Sequence, residues 1–151
     1  MAAGVTLAAI RRDADLPAGF GDLRDEARRE GYTHMERLAA DWSIGANRFA
    51  AAGEALMAAF EAGELAGVGG ITLDPVDAAV LRMRRFYVRP KFRGQGIGRH
   101  LADALLAQAR GVAQCIVLNA TTEMAVRFWE ALGFRPDRRD GHTHILRLSG
   151  G

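Results

Sequence analysis

The chain has 151 residues, is 49% hydrophobic and 25% charged, and carries a net charge of +2. These values predict one globular domain over residues 1–151 with a core of ordinary size. A single cysteine excludes an internal disulfide framework, and no apolar run approaches the roughly 18 residues of a membrane span, so we expect a cytoplasmic protein in which Cys115 is a small buried hydrophobe.

The first part of the chain predicts a strand followed by two helices. The strand is Val5–Ile10. The first helix is expected over 17–29, because apolar residues recur there at helical spacing and Gly31 follows. The second helix begins at Thr33, which together with Glu36 has the form of a capping box.

A hairpin and a bulged strand follow. Residues 54–60 and 65–73 read as two strands joined by a short turn that contains glycine. Residues 80–88 read as a third strand, but its large apolar side chains change face midway. They are Leu81 and Met83 on one face, then Phe86 and Val88 on the other. One inserted residue near Arg84 and Arg85 would bring all four to the same face, so the sequence predicts a β-bulge there.

A glycine-rich turn lies between this strand and the next predicted helix. Its sequence is Arg93-Gly94-Gln95-Gly96-Ile97-Gly98. Where a strand, a turn and the beginning of a helix follow one another directly, backbone N–H groups and the positive end of the helix dipole are presented to a phosphate group. The turn matches neither a Walker loop nor the dinucleotide pattern GxGxxG, whose third glycine position holds Leu101. It matches [RQ]-x-x-G-x-[GA], with Arg93, Gly96 and Gly98 in the fixed places.

Basic residues are concentrated around this turn. Seven of them fall within 18 residues: Arg82, Arg84, Arg85, Arg89, Lys91, Arg93 and Arg99. A solvated strand edge, a nucleic-acid surface or a cofactor with several phosphates would each explain the cluster. The embedded glycine turn favours the phosphorylated cofactor, and nucleic acid is the less favoured partner.

The remainder of the chain predicts a helix, a buried strand, a second helix and a last strand. The first of these helices ends before Gly111, and the apolar run 113–119 is typical of a strand buried on both faces. Thr121 or Thr122 caps the second helix, and 143–148 forms the last strand. The element order βααβββαβαβ predicts a mixed α/β sheet with helices on both faces.

This order and two segments resemble the GNAT (GCN5-related) N-acetyltransferases. Residues 83–98 are similar to the family's motif A, whose glycine turn is its coenzyme A pyrophosphate loop, and residues 125–134 are similar to its motif B. Trp42 and the segment 45–54 resemble a subgroup of small bacterial members. The resemblance covers nearly the whole chain. It implies a mostly antiparallel central sheet with a splayed strand pair that admits acetyl-CoA.

The resemblance also implies which residues hold the cofactor. Backbone groups of Phe86 and Val88 would pair with the pantetheine arm as an added strand, and the N–H groups of the glycine turn would hold the pyrophosphate. Basic side chains such as Arg89, Lys91 and Arg93 would reach the 3′-phosphate. The expected cofactor-binding residues are Phe86, Tyr87, Val88, Arg93, Gly94, Gln95, Gly96, Ile97, Gly98, Arg99, Asn119, Phe128 and Trp129. For Asn119, a turn-forming role is the alternative.

Two positions depart from the family pattern. Trp129 stands where most members have a Tyr that protonates the leaving thiolate, and an indole does not titrate usefully; core packing is its alternative role. Arg82 stands near the place where many members have a Glu that acts as base. We therefore expect Glu54 or His144 to be the base, with a surface or capping role as the alternative for each. The backbone N–H of Val88 is the expected oxyanion donor.

Four residues are expected to contact the acceptor, and no metal is indicated. They are Trp42, Asn47, Arg82 and Arg84. The two arginines would bind a carboxylate, or else form a charged strand face in solvent. The expected function is transfer of an acetyl group from acetyl-CoA to a primary amine of a small molecule by direct attack. A homodimer is left open, since many members dimerise.

Two other functions remain possible at this point. A non-catalytic module that binds or senses acyl-CoA would explain the loss of the usual Tyr and Glu. An acetyltransferase that acts on protein or RNA would explain the basic cluster.

Overall fold

A computed structural model describes residues 4–77, 79–139 and 141–148. The elements, in chain order, are β1 (Val5–Ala9), α1 (Phe20–Arg29), α2 (His34–Ile44), β2 (Ala55–Glu61), β3 (Glu64–Leu73), β4 (Val80–Val88), α3 (Ile97–Ala109), β5 (Cys115–Leu118), α4 (Glu123–Ala131), β6 (Arg135–Arg139) and β7 (His142–Arg147). A 3-10 turn, Pro90–Phe92, follows β4. The predicted order of elements is confirmed with one addition, β6. Its polar composition and internal proline are not typical of a strand, so the sequence pattern does not predict it.

The seven strands formed by these residues make one sheet. Its strand order is β1-β2-β3-β4-β5-β7-β6. Neighbouring strands are antiparallel except for β4 and β5, which are parallel and joined through α3, as a parallel pair requires. No helix formed by the described part of the chain is long and apolar enough to cross a membrane.

Helices cover both faces of the sheet. The apolar sides of α1 and α2 pack against one face, and this cluster includes Phe20, Leu23, Met35, Leu56, Val68 and Tyr87. The opposite face is covered by α3 and α4, in a cluster that includes Met83, Leu105, Ile116, Trp129 and Phe134. Successive side chains of a strand point to opposite faces, so one strand can contribute apolar side chains to both clusters. Burial of these side chains on each side stabilises the sheet.

The predicted bulge is present in β4. Gly70 pairs with Arg84 and Val68 pairs with Tyr87, so that Gly69 opposes two residues. Arg85, one of those two, has a φ of 62°, in the left-handed region. A Cβ at Gly69 would lie 2.8 Å from the ring of Phe86, so this glycine makes room for the bulged strand.

The bulge changes which side chains share a face. Leu81 and Met83 before it, and Phe86 and Val88 after it, all lie on the side of α3. Tyr87 lies on the side of α1 and α2. The bulge therefore explains why the large apolar residues of this strand change face in the sequence.

Two residues before the bulge pairing, at Arg82, the contact between β4 and β5 ends. The two strands pair only over Val80–Arg82 and Cys115–Val117, whereas β4 continues beside β3 to Val88. The edge of β4 from Met83 to Val88 therefore has no partner on β5. We call the space along this edge the β4–β5 opening; it is the splay expected from the sequence.

Local details differ from expectation at Thr33 and Cys115 and agree with it at Thr122. Thr33 precedes α2, but its side chain forms no capping hydrogen bond, because its backbone is helical rather than extended (φ −109°, ψ −7°). Thr122 does cap α4, accepting from the N–H of Ala125. Cys115 is only partly buried, and Phe128 is also partly buried beside the fully buried Trp129.

Candidate active site

The glycine turn and the first turn of α3 form an anion-binding surface. Gly94 and Gly96 both have a φ of 80°, and Gly96 is the N-cap of α3. The N–H of His100 donates to the carbonyl of Gly96, 3.0 Å away, so the three N–H groups before His100 precede the helical ladder. The first turn of α3 carries no acidic side chain. Exposed N–H groups at the positive end of a 13-residue helix are what a phosphate needs.

Gly98 places this surface beside the β4–β5 opening. A Cβ at Gly98 would lie 3.3 Å from the ring of Phe128 and 3.6 Å from the side chain of Val88. The absence of a side chain therefore lets the start of α3 pack closely against α4 and the end of β4.

The basic side chains next to the turn are already paired. Arg89 is 6% exposed, donates to both carboxylate oxygens of Glu26 and contacts Glu64. Its hydrogen bond to Glu26 raises the pKa of Arg89. Lys91 pairs with Glu64 at 2.6 Å. These pairs tie the segment after β4 to α1 and β3, so the structure gives Arg89 and Lys91 a structural role where a phosphate contact was expected.

Arg93 has a similar role. Both of its terminal nitrogens donate to Glu30, the residue that follows α1, at 2.8 and 2.6 Å, and its Nε donates to the carbonyl oxygen of Val88, at 3.0 Å. The carboxylate of Glu30 raises the pKa of Arg93 and itself has a lowered pKa because of this hydrogen bond. Arg93 therefore holds the turn against α1, and a phosphate would have to compete with Glu30 for it.

The backbone of β4 presents its edge to the opening. The N–H of Arg89 donates to Ala66 on β3, 2.9 Å away, and backbone groups alternate in direction along a strand. The N–H groups of Phe86 and Val88 therefore point away from β3, into the opening. Tyr87 was expected to bind the cofactor, but its side chain lies on the other face, where its hydroxyl donates to Glu30.

His34 is a site residue that the sequence did not reveal. Its Nε2 donates to the carbonyl oxygen of Phe86, 2.7 Å away and 52 residues later in the chain. Burial, with a contribution from the charge of Arg85, lowers the pKa of His34. The ring is therefore neutral near pH 7, and because the proton is on Nε2, the basic lone pair is on Nδ1. Only the packing of α2 on β4 brings His34 to this edge.

Glu54 does not lie at the opening. Its carboxylate accepts from the N–H groups of Ala51 and Leu73, at 3.1 and 2.9 Å. Leu73 pairs with Leu81, at the end of β4 where β5 is still attached. Glu54 therefore closes the loop before β2, which is the capping alternative, and it is removed from the splayed part of β4.

His144 lies nearer, but both ring nitrogens are occupied. It is 3% exposed and pairs in register with Leu118 at the end of β5. Its Nε2 donates to Glu130 on α4, and its Nδ1 accepts from the hydroxyl of Thr143, both at 2.8 Å. This arrangement locks β7 to α4 and leaves no lone pair for an acceptor amine.

Trp129 has the packing role that was its alternative. Its ring lies edge to face with Phe86, Phe128 and Phe134, with centroids 4.9, 4.8 and 5.4 Å away. Such aromatic pairs are each worth about 0.5–1.5 kcal/mol beyond area burial. Trp129 stabilises the α4 side of the opening and supplies no titrating acid.

Three of the four residues expected to contact the acceptor have structural partners. The indole N–H of Trp42 donates to Ala14, 2.9 Å away, and the side-chain oxygen of Asn47 accepts from the N–H of Phe49, at 3.0 Å. Arg82 forms an ion pair with Asp74 at 3.0 Å, in which the two side chains are only 12% and 10% exposed. 

The two remaining predicted positions keep exposed or unpaired side chains. Arg84 forms no ion pair with any residue that the structure describes. Asn119 is exposed directly after β5, across the opening from β4.

Comparisons with known proteins agree with this geometry. The model of the Acetyltransferase (GNAT) family matches residues 16–134. A solved structure from Exiguobacterium sp. 255-15, assigned to the acetyltransferases, is 26% identical with a TM-score of 0.84, over 95% of this chain and 93% of its own. No curated protein matches the chain.

Two further structures share the fold. A GCN5-related N-acetyltransferase from Kribbella flavida is 22% identical with a TM-score of 0.71, over 97% of this chain and 99% of its own. The yncA protein of Salmonella typhimurium, solved with acetyl-CoA, is 15% identical with a TM-score of 0.69, over 98% of this chain and 96% of its own.

The matched residues include both the glycine turn and α4, which border the β4–β5 opening. The chain belongs to the GNAT family of acetyltransferases, enzymes that take their acyl group from acetyl-CoA.

Proposed function

We propose that this protein transfers the acetyl group of acetyl-CoA to a primary amine of a small molecule, by direct attack while both are bound. The observation that carries the proposal is the placement of the exposed N–H groups of α3 directly beside the unpaired edge of β4. One end of the opening suits a pyrophosphate, and its edge suits an extended chain with amide groups.

The residues at the opening fit acetyl-CoA. The N–H groups of 94–99 would hold the pyrophosphate, and the open edge at Phe86 and Val88 would pair with the pantetheine amides. Asn119 would bond to the same arm from the β5 side, and Phe128 would pack beside it. When bound, acetyl-CoA supplies a thioester carbonyl as the acyl donor.

Two groups of the chain would assist the transfer. The N–H of Val88, which points into the opening, would stabilise negative charge on the carbonyl oxygen. A primary amine is mostly protonated at pH 7 and must lose that proton before it attacks. We propose His34 as the base, because its ring is neutral, it lies on the same edge, and its Nδ1 is the basic nitrogen.

A protein acid is not required. A thiol with a pKa of about 8.5, by analogy with cysteine, leaves readily as the thiolate. Tyr87 is unsuited to the role, because burial and the hydrogen bond to Glu30 raise its pKa.

The test is steady-state release of thiol from acetyl-CoA in the presence of a panel of amines, with CoA affinity measured in parallel. Release that depends on a small amine supports the proposal. Tight CoA binding without turnover on any amine would instead indicate a non-catalytic module. Turnover with macromolecules alone would contradict a small-molecule acceptor; the pairing of Arg89, Lys91 and Arg93 with carboxylates argues against an RNA surface.

A further inference from the structure

We infer that the acceptor carries a carboxylate or another anionic group in addition to its amine, and that Arg84, Arg85 and Arg37 bind it. We call these three residues the arginine cluster. The inference rests on the proposed function, since it names the chemical class of the acceptor at the same site.

The acceptor has one open side from which to approach. On one face of the opening, Phe86 packs against Trp129 of α4, and α3 covers the neighbouring strand surface. Side chains alternate along β4, so Arg84, the residue after Met83, faces the opposite side, towards α2. The acceptor amine would therefore reach the opening past Arg84.

The charges on this side are unbalanced. The neighbouring Arg82 is neutralised by Asp74, at 3.0 Å. In the described part of the chain, the cluster has one nearby carboxylate, that of Asp41 on α2, which forms an ion pair with Arg85 at 3.6 Å, longer than a hydrogen bond. Burial, and then the positive charges of Arg84 and Arg37, lower the pKa of Arg85, against an opposing contribution from Asp41. Among the residues that the structure describes, three guanidinium groups thus share one carboxylate.

Burial makes this excess costly without an anion. The side chain of Arg85 is only 11% exposed, and its backbone is held at the bulge with a φ of 62°. A buried cation that lacks full pairing is unfavourable, and a bidentate carboxylate is the partner that a guanidinium accepts best. The cluster is therefore built to receive an anion that the described part of the chain does not itself supply.

Two further features border the same surface. A side chain at Gly141, in the β6–β7 turn, would come within 3.5 Å of the guanidinium of Arg82, so this part of the turn lies against Arg82, whereas Arg84 is half-buried. The hydroxyl of Thr72 is buried without a hydrogen-bond partner among the described residues, and Thr72 is paired with Arg82 on this face.

The experiment compares matched acceptors. Each α-amino acid is paired with the amine that lacks only its carboxylate, and kcat/KM is measured by thiol release at saturating acetyl-CoA. We expect the wild type to prefer the carboxylate-bearing member by tenfold or more. Arg84→Gln should lower kcat/KM for that member about 10- to 100-fold and leave the neutral amine within about twofold. Arg110→Gln, which removes the same charge from the exposed end of α3, is the control and should change neither.

The possible failures are distinguishable. Equal use of both members, or an equal loss with Arg84→Gln, overturns the inference and leaves the proposed transfer intact. If no amine is acetylated, the proposed function fails, and binding of the amino acid to the CoA-loaded protein decides the inference. Calorimetric binding that Arg84→Gln abolishes supports an anion site; absence of binding to the wild type overturns it.

Discussion

At the scale of single residues, the proposed chemistry depends on a few side chains whose partners are distant in sequence. His34 donates to the carbonyl of Phe86. Glu54 and His144, the first and second candidate bases from the sequence, are held by backbone amides and by Glu130 and Thr143, respectively. A titratable side chain can act as base only if a lone pair is unused, and that condition is set by its neighbours.

The role proposed for His34 can be tested with His34→Gln. The amide N–H₂ of Gln can still donate to Phe86, but Gln cannot accept a proton near neutral pH. We expect kcat to fall 10²- to 10⁴-fold with little change in CoA affinity. Retention of activity in His34→Gln, with loss in His34→Phe, would show that the residue only positions β4.

The pH profile of the wild type provides a second measurement on the same residue. The neutral ring is the active form, and burial lowers the pKa of His34, so activity should persist below the ordinary histidine value of about 6.5. The acid limb of kcat/KM should therefore have its midpoint below that value. This acid limb should be absent from the pH profile of His34→Gln.

At the scale of elements, one strand and one turn create the opening. The strand β4 stops pairing with β5 after Arg82, and the bulge that follows rotates the end of β4 so that Phe86 and Val88 face α3. The glycine turn delivers the start of α3 to the same place. Both devices depend on glycine, at Gly69 for close approach and at Gly96 for a left-handed backbone.

Substitution at the turn tests the pyrophosphate site. Gly96→Glu places a carboxylate at the start of α3, where it competes with a phosphate for the exposed N–H groups. Gly111→Glu is a matched control at the other end of α3: the two glycines have φ values of 80° and 84° and no close neighbours, so the backbone strain is similar, about 1–2 kcal/mol. We expect Gly96→Glu to lose at least tenfold in CoA affinity by calorimetry, and Gly111→Glu to keep it.

Substitution at the bulge tests the opening itself. A Cβ at Gly69 would lie 2.8 Å from the ring of Phe86, so Gly69→Ala should displace Phe86, destabilise the fold by about 1–3 kcal/mol and weaken CoA binding. Gly21→Ala, on the exposed side of α1 with open space around it, should instead be neutral or slightly stabilising. Denaturant unfolding and calorimetry measure the two effects; unchanged CoA affinity in Gly69→Ala would argue against the role given to the bulge.

At the scale of the whole molecule, ion pairs fasten the helical layer to the sheet. Glu26 of α1 and Glu30, directly after it, bind Arg89 and Arg93. Asp74, in the loop between β3 and β4, binds Arg82 within the sheet. The hydrogen bonds from these arginines lower the pKa of Glu26 and Glu30, and hydrogen bonds from backbone and Arg82 lower that of Asp74 against an opposing effect of burial.

The lowered pKa values determine how stability depends on pH. The unfolded chain takes up protons first, at its ordinary carboxylate values of about 4, so the stabilisation is present above that pH and is lost as pH falls through the lower folded values. We expect the melting temperature to fall steeply below about pH 4.5. The fall should be shallower in Glu26→Gln, which should also be less stable at pH 7, because Arg89 loses its bidentate partner. Equal slopes in both proteins would contradict this account.

The fold and the donor side of the site follow from the sequence because their signals are local. Hydrophobic periodicity, the parity change around Arg84 and Arg85, and the glycines of the turn each express backbone geometry within a few residues. Even there, a strand with the composition of β6 escapes detection, since its polar run is recognisable only by its pairing with β7.

The acceptor side depended on tertiary structure alone. A basic or acidic side chain has the same local sequence signal whether it is paired or unpaired, so the sequence could not separate Arg89, which binds Glu26, from Arg84, which binds no described residue. Nor could it reveal His34, whose contact with Phe86 spans 52 residues. The glycine turn and the bulged strand are determined by local sequence. The availability of a base and of a cation is decided only when α1 and α2 pack against the sheet, because their side chains pair with some charged groups of the sheet and not with others.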